Sequence, residues 1–200
     1  MNIKLLAGGA ISIVIAAAAW IAAGLAPPAV AQSGPSWGPQ WTADGDLILP
    51  ENFRQWIFLG SPLTPNALNN GQAGFPEYHN VYVRPEALDI YRRTGTWPEG
   101  TIMLKELQLT QDAIYPDGSR DEASGRGFFP GALNGIDISV KDSVRFKDSK
   151  GWGFFNFGHH APPYAKEAKA QPVEACAGCH MGNPNGMVFS QFYAPILNAK

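Results

Sequence analysis

Apolar and polar residues change rhythm several times along this chain, and each change marks an element. Leu5 to Leu25 is an uncharged apolar run behind Lys4, broken by Pro27-Pro28 and followed by Ala29-Val30-Ala31. A positive start, an apolar stretch and a small-x-small site read as a secretory signal over 1–31. The run is also long enough to span a bilayer, so an uncleaved anchor is the second reading. Residues 32–46 are polar and broken by Gly and Pro, a flexible arm with Trp37 and Trp41 as packing anchors. The patterned domain occupies 47–200.

Within it, Asn52 to Leu59 predicts a helical turn followed by a strand, and Ser61 to Phe75 a loop rich in Pro, Asn and Gly. His79 to Val83 predicts a short strand. Pro85 to Thr94 predicts a helix, with Pro at its first turn, Glu86 near the positive end, Arg92 and Arg93 near the negative end, and Gly95 as the stop. Leu88 and Tyr91 share one of its faces, with Ala87 beside them. Thr101 to Leu109 alternates as a strand, but Lys105 falls in the row of Met103, Leu107 and Leu109. Asp112 to Gly131 predicts a long loop. In Leu133 to Val144, Ile136, Ile138 and Val140 face one way and Asp137, Ser139 and Lys141 the other. Trp152 to Phe157 predicts an aromatic strand suited to walling a large apolar group. Helices are expected near Tyr164 to Ala170 and around Cys176 to His180, with a last short segment from Val188 to Leu197. The sum is α+β: a small antiparallel sheet with a few helices on one side and at the C-terminus.

Charge narrows the partners. Only Lys4 of the 15 Lys and Arg precedes Gln32, and none of the 17 Asp and Glu does. The mature chain is therefore mildly acidic, about −3, which argues against nucleic acid. Its length suits one domain with a real core.

The chemistry concentrates in Cys176-Ala177-Gly178-Cys179-His180. Two thiols three positions apart, with histidine directly after the second, is the attachment signature of c-type haem. Each thiol adds across one haem vinyl group, and His180 lies under the iron as proximal ligand. A structural zinc site would need a second such pair, and the chain has only these two cysteines. A thioredoxin-type dithiol belongs at the start of a helix in a βαβ unit, not among Gly and Pro near a C-terminus. The haem packs within the α+β domain. Haem attachment and the leader together place the protein in a periplasm or its equivalent.

Several further motifs resemble the cytochrome P-460 family. They are Val81-Tyr82-Val83-x-Pro85-Glu86, Thr94-Gly95, Gly100-Thr101, Lys105-Glu106-Leu107, Ser139-Val140-Lys141-Asp142-Ser143 and Arg145-Phe146. Trp152-x-Phe154-Phe155, the haem motif and Phe189-x-x-Phe192-Tyr193 complete the set. The resemblance implies a sheet-rich mono-haem fold, a homodimer and oxidation of hydroxylamine, with electrons passed to a partner cytochrome. It also implies a covalent bond from a lysine to the haem edge, and that lysine falls on Lys105. An apolar-face lysine ordinarily snorkels to an edge; at the family's position it becomes the cross-linking residue. A desolvated lysine more readily presents the neutral, nucleophilic amine. Relatives termed cytochrome c′-beta resemble the chain too, lack the cross-link and bind nitric oxide in an apolar pocket.

Hydroxylamine oxidation releases protons, so a base near the open iron face would assist. Asp137 aligns with an acidic position of the hydroxylamine-oxidising members; the alternative is a solvated strand aspartate beside Ser139 and Lys141. His79 either lines the pocket and donates to substrate, or packs at a strand start. Phe75, Phe128, Phe129, Phe154 and Phe155 are candidates for the haem wall. Met103, Met181, Met187, His159 and His160 are the residues to weigh as a sixth ligand. A histidine there would make a six-coordinate electron carrier; the family leaves the position open.

Overall fold

The computed structural model describes residues 34–197; the leader expected over 1–31 lies outside them. Its central feature is a five-stranded antiparallel sheet. The strands are β2 (Ile57–Gly60), β3 (Tyr78–Val83), β4 (Ile102–Thr110), β7 (Pro130–Lys141) and β8 (Trp152–Asn156), adjacent in that order. Two short pairs flank it. The first joins β1 (Leu47–Ile48) to β9 (Glu167–Ala168), and the second is a hairpin of β5 (Arg120–Glu122) and β6 (Gly125–Gly127). The antiparallel α+β architecture agrees with the sequence. The expected 112–131 loop contains the β5–β6 hairpin.

Helix α1 (Pro85–Thr94) has the predicted bounds. Gly95 adopts φ 73°, and its N–H donates to the Tyr91 carbonyl at 2.7 Å. A left-handed cap of this kind suits glycine, which has no Cβ to clash. Ala87 and Leu88 are buried, and Tyr91 stacks on Trp97 with ring centroids 4.1 Å apart. Near the C-terminus stand α2 (Ala177–Met181) and α3 (Ala194–Leu197).

Both faces of the sheet are covered. One face packs Leu104, Ile136, Ile138, Val140 and Phe155 against Leu47, Phe53 and Trp56. The other packs Val81, Val83, Met103 and Phe154 against α1 and the C-terminal segment. Alternation along β7 therefore sends Ile136, Ile138 and Val140 to the first face and Asp137 and Ser139 to the second.

Two expectations need correction. The helix expected over Tyr164 to Ala170 does not form. Its backbone is drawn into pairing instead: Leu47 pairs with Ala168, Leu49 N–H donates to Lys166, and Ala170 bridges Phe155. A segment that short gains little from isolated helix formation, so tertiary pairing overrides its propensity. The apolar row of β4 also ends early. Met103 and Leu107 are buried, but Leu109 is exposed, because register shifts against β7 after Leu107 break the alternation.

Candidate functional site

A cavity of about 340 Å³ lies between the second face of the sheet and the C-terminal segment. The segment contributes Cys176, Cys179 and His180, while the sheet contributes His79, Lys105 and Asp137. Residues from opposite ends of the chain thus face one space.

His180 is held in one tautomer. Its Nδ1 lies 2.8 Å from the Met187 carbonyl. A carbonyl only accepts, so Nδ1 carries the hydrogen and the Nε2 lone pair is free for a metal. The loop beyond α2 aims that carbonyl: buried Asn183 donates from Nδ2 to Gly186 and Val188, at 2.8 and 3.2 Å. Burial lowers the His180 pKa, against the Met187 hydrogen bond, so the ring stays neutral and able to ligate. Phe154 and Phe189 bracket it at centroid distances of 4.6 and 4.9 Å. Cys176 precedes α2 and is partly buried, and Cys179 is exposed on it. Burial pushes the Cys176 thiol up.

Two free thiols, a histidine whose Nε2 lone pair is available and an aromatic wall fit a covalently held haem. Among the described residues, no group of three or more His, Cys, Asp and Glu converges as a metal-ion site, so a protein-only zinc centre has no ligand set there.

Across the cavity, Lys105 and Asp137 are register partners on β4 and β7. Lys105 Nζ lies 3.0 Å from Asp137 Oδ2 and 4.0 Å from the Phe75 ring centroid. Asn156, the register partner of Asp137 on β8, donates to its Oδ1 at 2.7 Å. Burial alone would raise the Asp137 pKa. The Lys105 charge and the hydrogen bonds from Asn156 and Lys105 outweigh it, holding the carboxyl below its ordinary range. The solvated-strand reading of Asp137 therefore gives way to a partly buried carboxylate in the cavity wall. His79 also lines the wall. Its Nε2 is buried without a hydrogen-bond partner, and burial, with the Lys105 charge, lowers its pKa. It is a neutral ring with an unused polar atom.

Of the aromatic candidates, Phe75, Phe154 and Phe155 line the cavity, and Phe128 and Phe129 do not; the Phe128 carbonyl instead accepts from the Tyr78 hydroxyl. Met103 and Met187 line it, but Met181, His159 and His160 do not. His160 bonds within its own loop to the Ala161 carbonyl. His159 turns its Nε2 to Asp137 Oδ2 at 3.3 Å. Sequence reasoning missed Asn183, Asn156 and the Met187 carbonyl, all of which orient other groups. Only the Asn-Pro-Asn-Gly turn after the haem motif hinted at the first.

Sheet, cavity and haem motif together define a class: a β-sheet-built haem cytochrome of the c type. A family profile described as Cytochrome P460 matches residues 50–190, and the chain belongs to that family. Some members of the family oxidise hydroxylamine. A search of curated proteins finds no match.

Proposed function

We propose that this protein is an exported haem enzyme that oxidises hydroxylamine, with or without nitric oxide, to nitrous oxide or related nitrogen oxides. The observation that carries the reading is the Lys105–Asp137 pair facing the haem motif across one cavity. Cys176 and Cys179 would hold the porphyrin through thioethers, and His180 would hold the iron through Nε2. When bound, the haem supplies an electron acceptor and a Lewis-acidic centre for the substrate nitrogen. Electrons and protons leave hydroxylamine in equal number. Asp137, ionised at neutral pH, accepts protons at the cavity wall. His79 offers its unpartnered Nε2 as an acceptor for a substrate N–H or O–H, orienting it. The aromatic rings of Phe75 and Phe154 exclude bulk water and larger substrates.

Lys105 stands at the family's cross-link position. Its Nζ would hold the porphyrin edge by a further covalent bond, formed with loss of one N–H and one C–H hydrogen to a two-electron oxidant of the peroxide class. The site acts in the periplasm, as a homodimer, and passes electrons to a partner cytochrome. A nitric oxide carrier like cytochrome c′-beta is the second reading, favoured by the Phe75 ring lying against Lys105 within the cavity.

One preparation separates the two. The hydroxylamine reading expects a strongly red-shifted ferrous Soret band and a tryptic peptide joining the Lys105 and Cys176–His180 segments through haem. An ordinary c-type spectrum, no such peptide and nitric oxide binding without hydroxylamine turnover would favour the carrier.

A further inference from the structure

We propose that His159 is the proton exit of this cavity, acting through Asp137; the inference rests on the hydroxylamine-oxidising reading above. Protons taken up at Asp137 must reach solvent before the carboxylate can act again. Three groups hold that carboxylate, and they differ in what they can pass on. Asn156 donates to Oδ1 and cannot accept a proton at working pH. Lys105 Nζ, on Oδ2, faces inward and carries the Phe75 ring on its other side. His159 Nε2, also on Oδ2, belongs to the one side chain of the three with a second ring nitrogen, so it can take a proton on one side and give one up on the other.

Its position gives the direction. The Asp137 side chain is 23% exposed and that of His159 is 43% exposed, so the ring leads from the cavity wall to bulk water. The fold keeps it there. Gly135 lies two residues before Asp137 on β7 and so on the same face. A Cβ at Gly135 would sit 2.7 Å from the Gly158 carbonyl oxygen and 3.0 Å from His159 Cδ2. Glycine at this position lets the histidine loop lie down over the strand. Phe75 meets the His159 ring edge-on at 5.6 Å, closing its other side. The same ring packs on His79 at 5.8 Å, so the charged and titratable neighbours of His159 are Asp137, Lys105 and, beyond Phe75, His79.

The transfer balances without any added reagent. At rest the His159 ring donates Nε2–H to the ionised Asp137; once a substrate proton lands on the carboxylate, the ring in its Nδ1–H tautomer takes that proton at Nε2 and releases the Nδ1 proton to water. The carboxylate is regenerated, and the exposed ring re-equilibrates its tautomers through solvent. His159 touches neither substrate nor haem in this scheme; it is a relay acting through Asp137.

The test uses the purified holoprotein with hydroxylamine and a soluble one-electron acceptor in weak buffer. His159→Gln should lower kcat about ten-fold with KM unchanged, a smaller loss than the hundred-fold or more typical of removing a base itself. Concentrated phosphate, a proton acceptor that competes poorly for haem iron, should restore the rate of His159→Gln and leave the unaltered protein as it was. His160→Gln, outside the relay, should behave as the unaltered protein. A second readout is independent of turnover: in 15N-histidine spectra of the diamagnetic ferrous carbonyl form, Asp137→Asn should move the His159 ring resonances and spare those of His160. Full rate in His159→Gln, a loss that concentrated phosphate does not rescue, or His159 resonances indifferent to Asp137→Asn would each overturn the relay alone. No hydroxylamine turnover by the unaltered protein would overturn the underlying reading, and the relay with it.

Discussion

Lys105 and Asp137 stand opposite each other on antiparallel strands, and their side chains meet at 3.0 Å on the face that looks at the haem motif. Each explains the other. Without the carboxylate, the lysine would be an unpaired cation in an otherwise apolar row between Met103 and Leu107. Without the lysine, less would oppose burial and the carboxyl pKa would rise.

Before haem is attached Lys105 keeps its free ammonium, and in that form Lys105→Met should raise the Asp137 pKa, because the charge and one hydrogen bond that oppose burial disappear together while Asn156 and His159 remain. A pH titration of the Asp137 carboxyl carbon by NMR would follow it. An unmoved midpoint would show that the ion pair does not control this carboxyl.

His79 makes a pH prediction for stability. Its folded pKa lies below the ordinary 6.5, chiefly through burial. The unfolded chain therefore binds the proton first as pH falls, and stability declines below about pH 6.5. His79→Gln should flatten that part of the stability curve without altering the plateau above it. Denaturant titrations at stepped pH provide the comparison; equal slopes in both proteins would refute the assignment.

Gly153 on β8 tests the packing. A Cβ there would lie 2.3 to 2.7 Å from atoms of the Phe146 ring, which itself meets Phe155 edge-on. Gly153→Ala should cost about 1–3 kcal/mol by overpacking. The denaturant midpoint should fall at unchanged m-value, and an unchanged midpoint would mean that Phe146 swings aside freely.

Local signals made much of this fold legible, and particular residues show where they stop. Pro85, Glu86 and Gly95 announce α1 because capping chemistry is written within one turn. Ile136, Ile138 and Val140 announce β7 and its two faces. That sheet is covered on both sides, though, so alternation separates Asp137 from Ile138 without saying which side carries the site. The β9 pairing was hidden because Glu167 and Ala168 have no strand character of their own; Leu47 and Ile48 impose it from more than a hundred residues away. In the site, the Cys176-x-x-Cys179-His180 spacing is self-announcing because the chemistry is local. The Met187 carbonyl on His180 and the His159 ring on Asp137 are products of tertiary approach. His159, by sequence a candidate for the iron, has a carboxylate as its partner.

The most direct test of the whole account is hydroxylamine-dependent reduction of a soluble electron acceptor by the purified, haem-loaded protein, with nitrogen-oxide products followed by mass spectrometry. Turnover should be sustained, and Lys105→Ala and Asp137→Asn should each sharply reduce it while keeping their thioether-bound haem. No reduction of acceptor by the unaltered protein, with haem fully attached through Cys176 and Cys179, would contradict it.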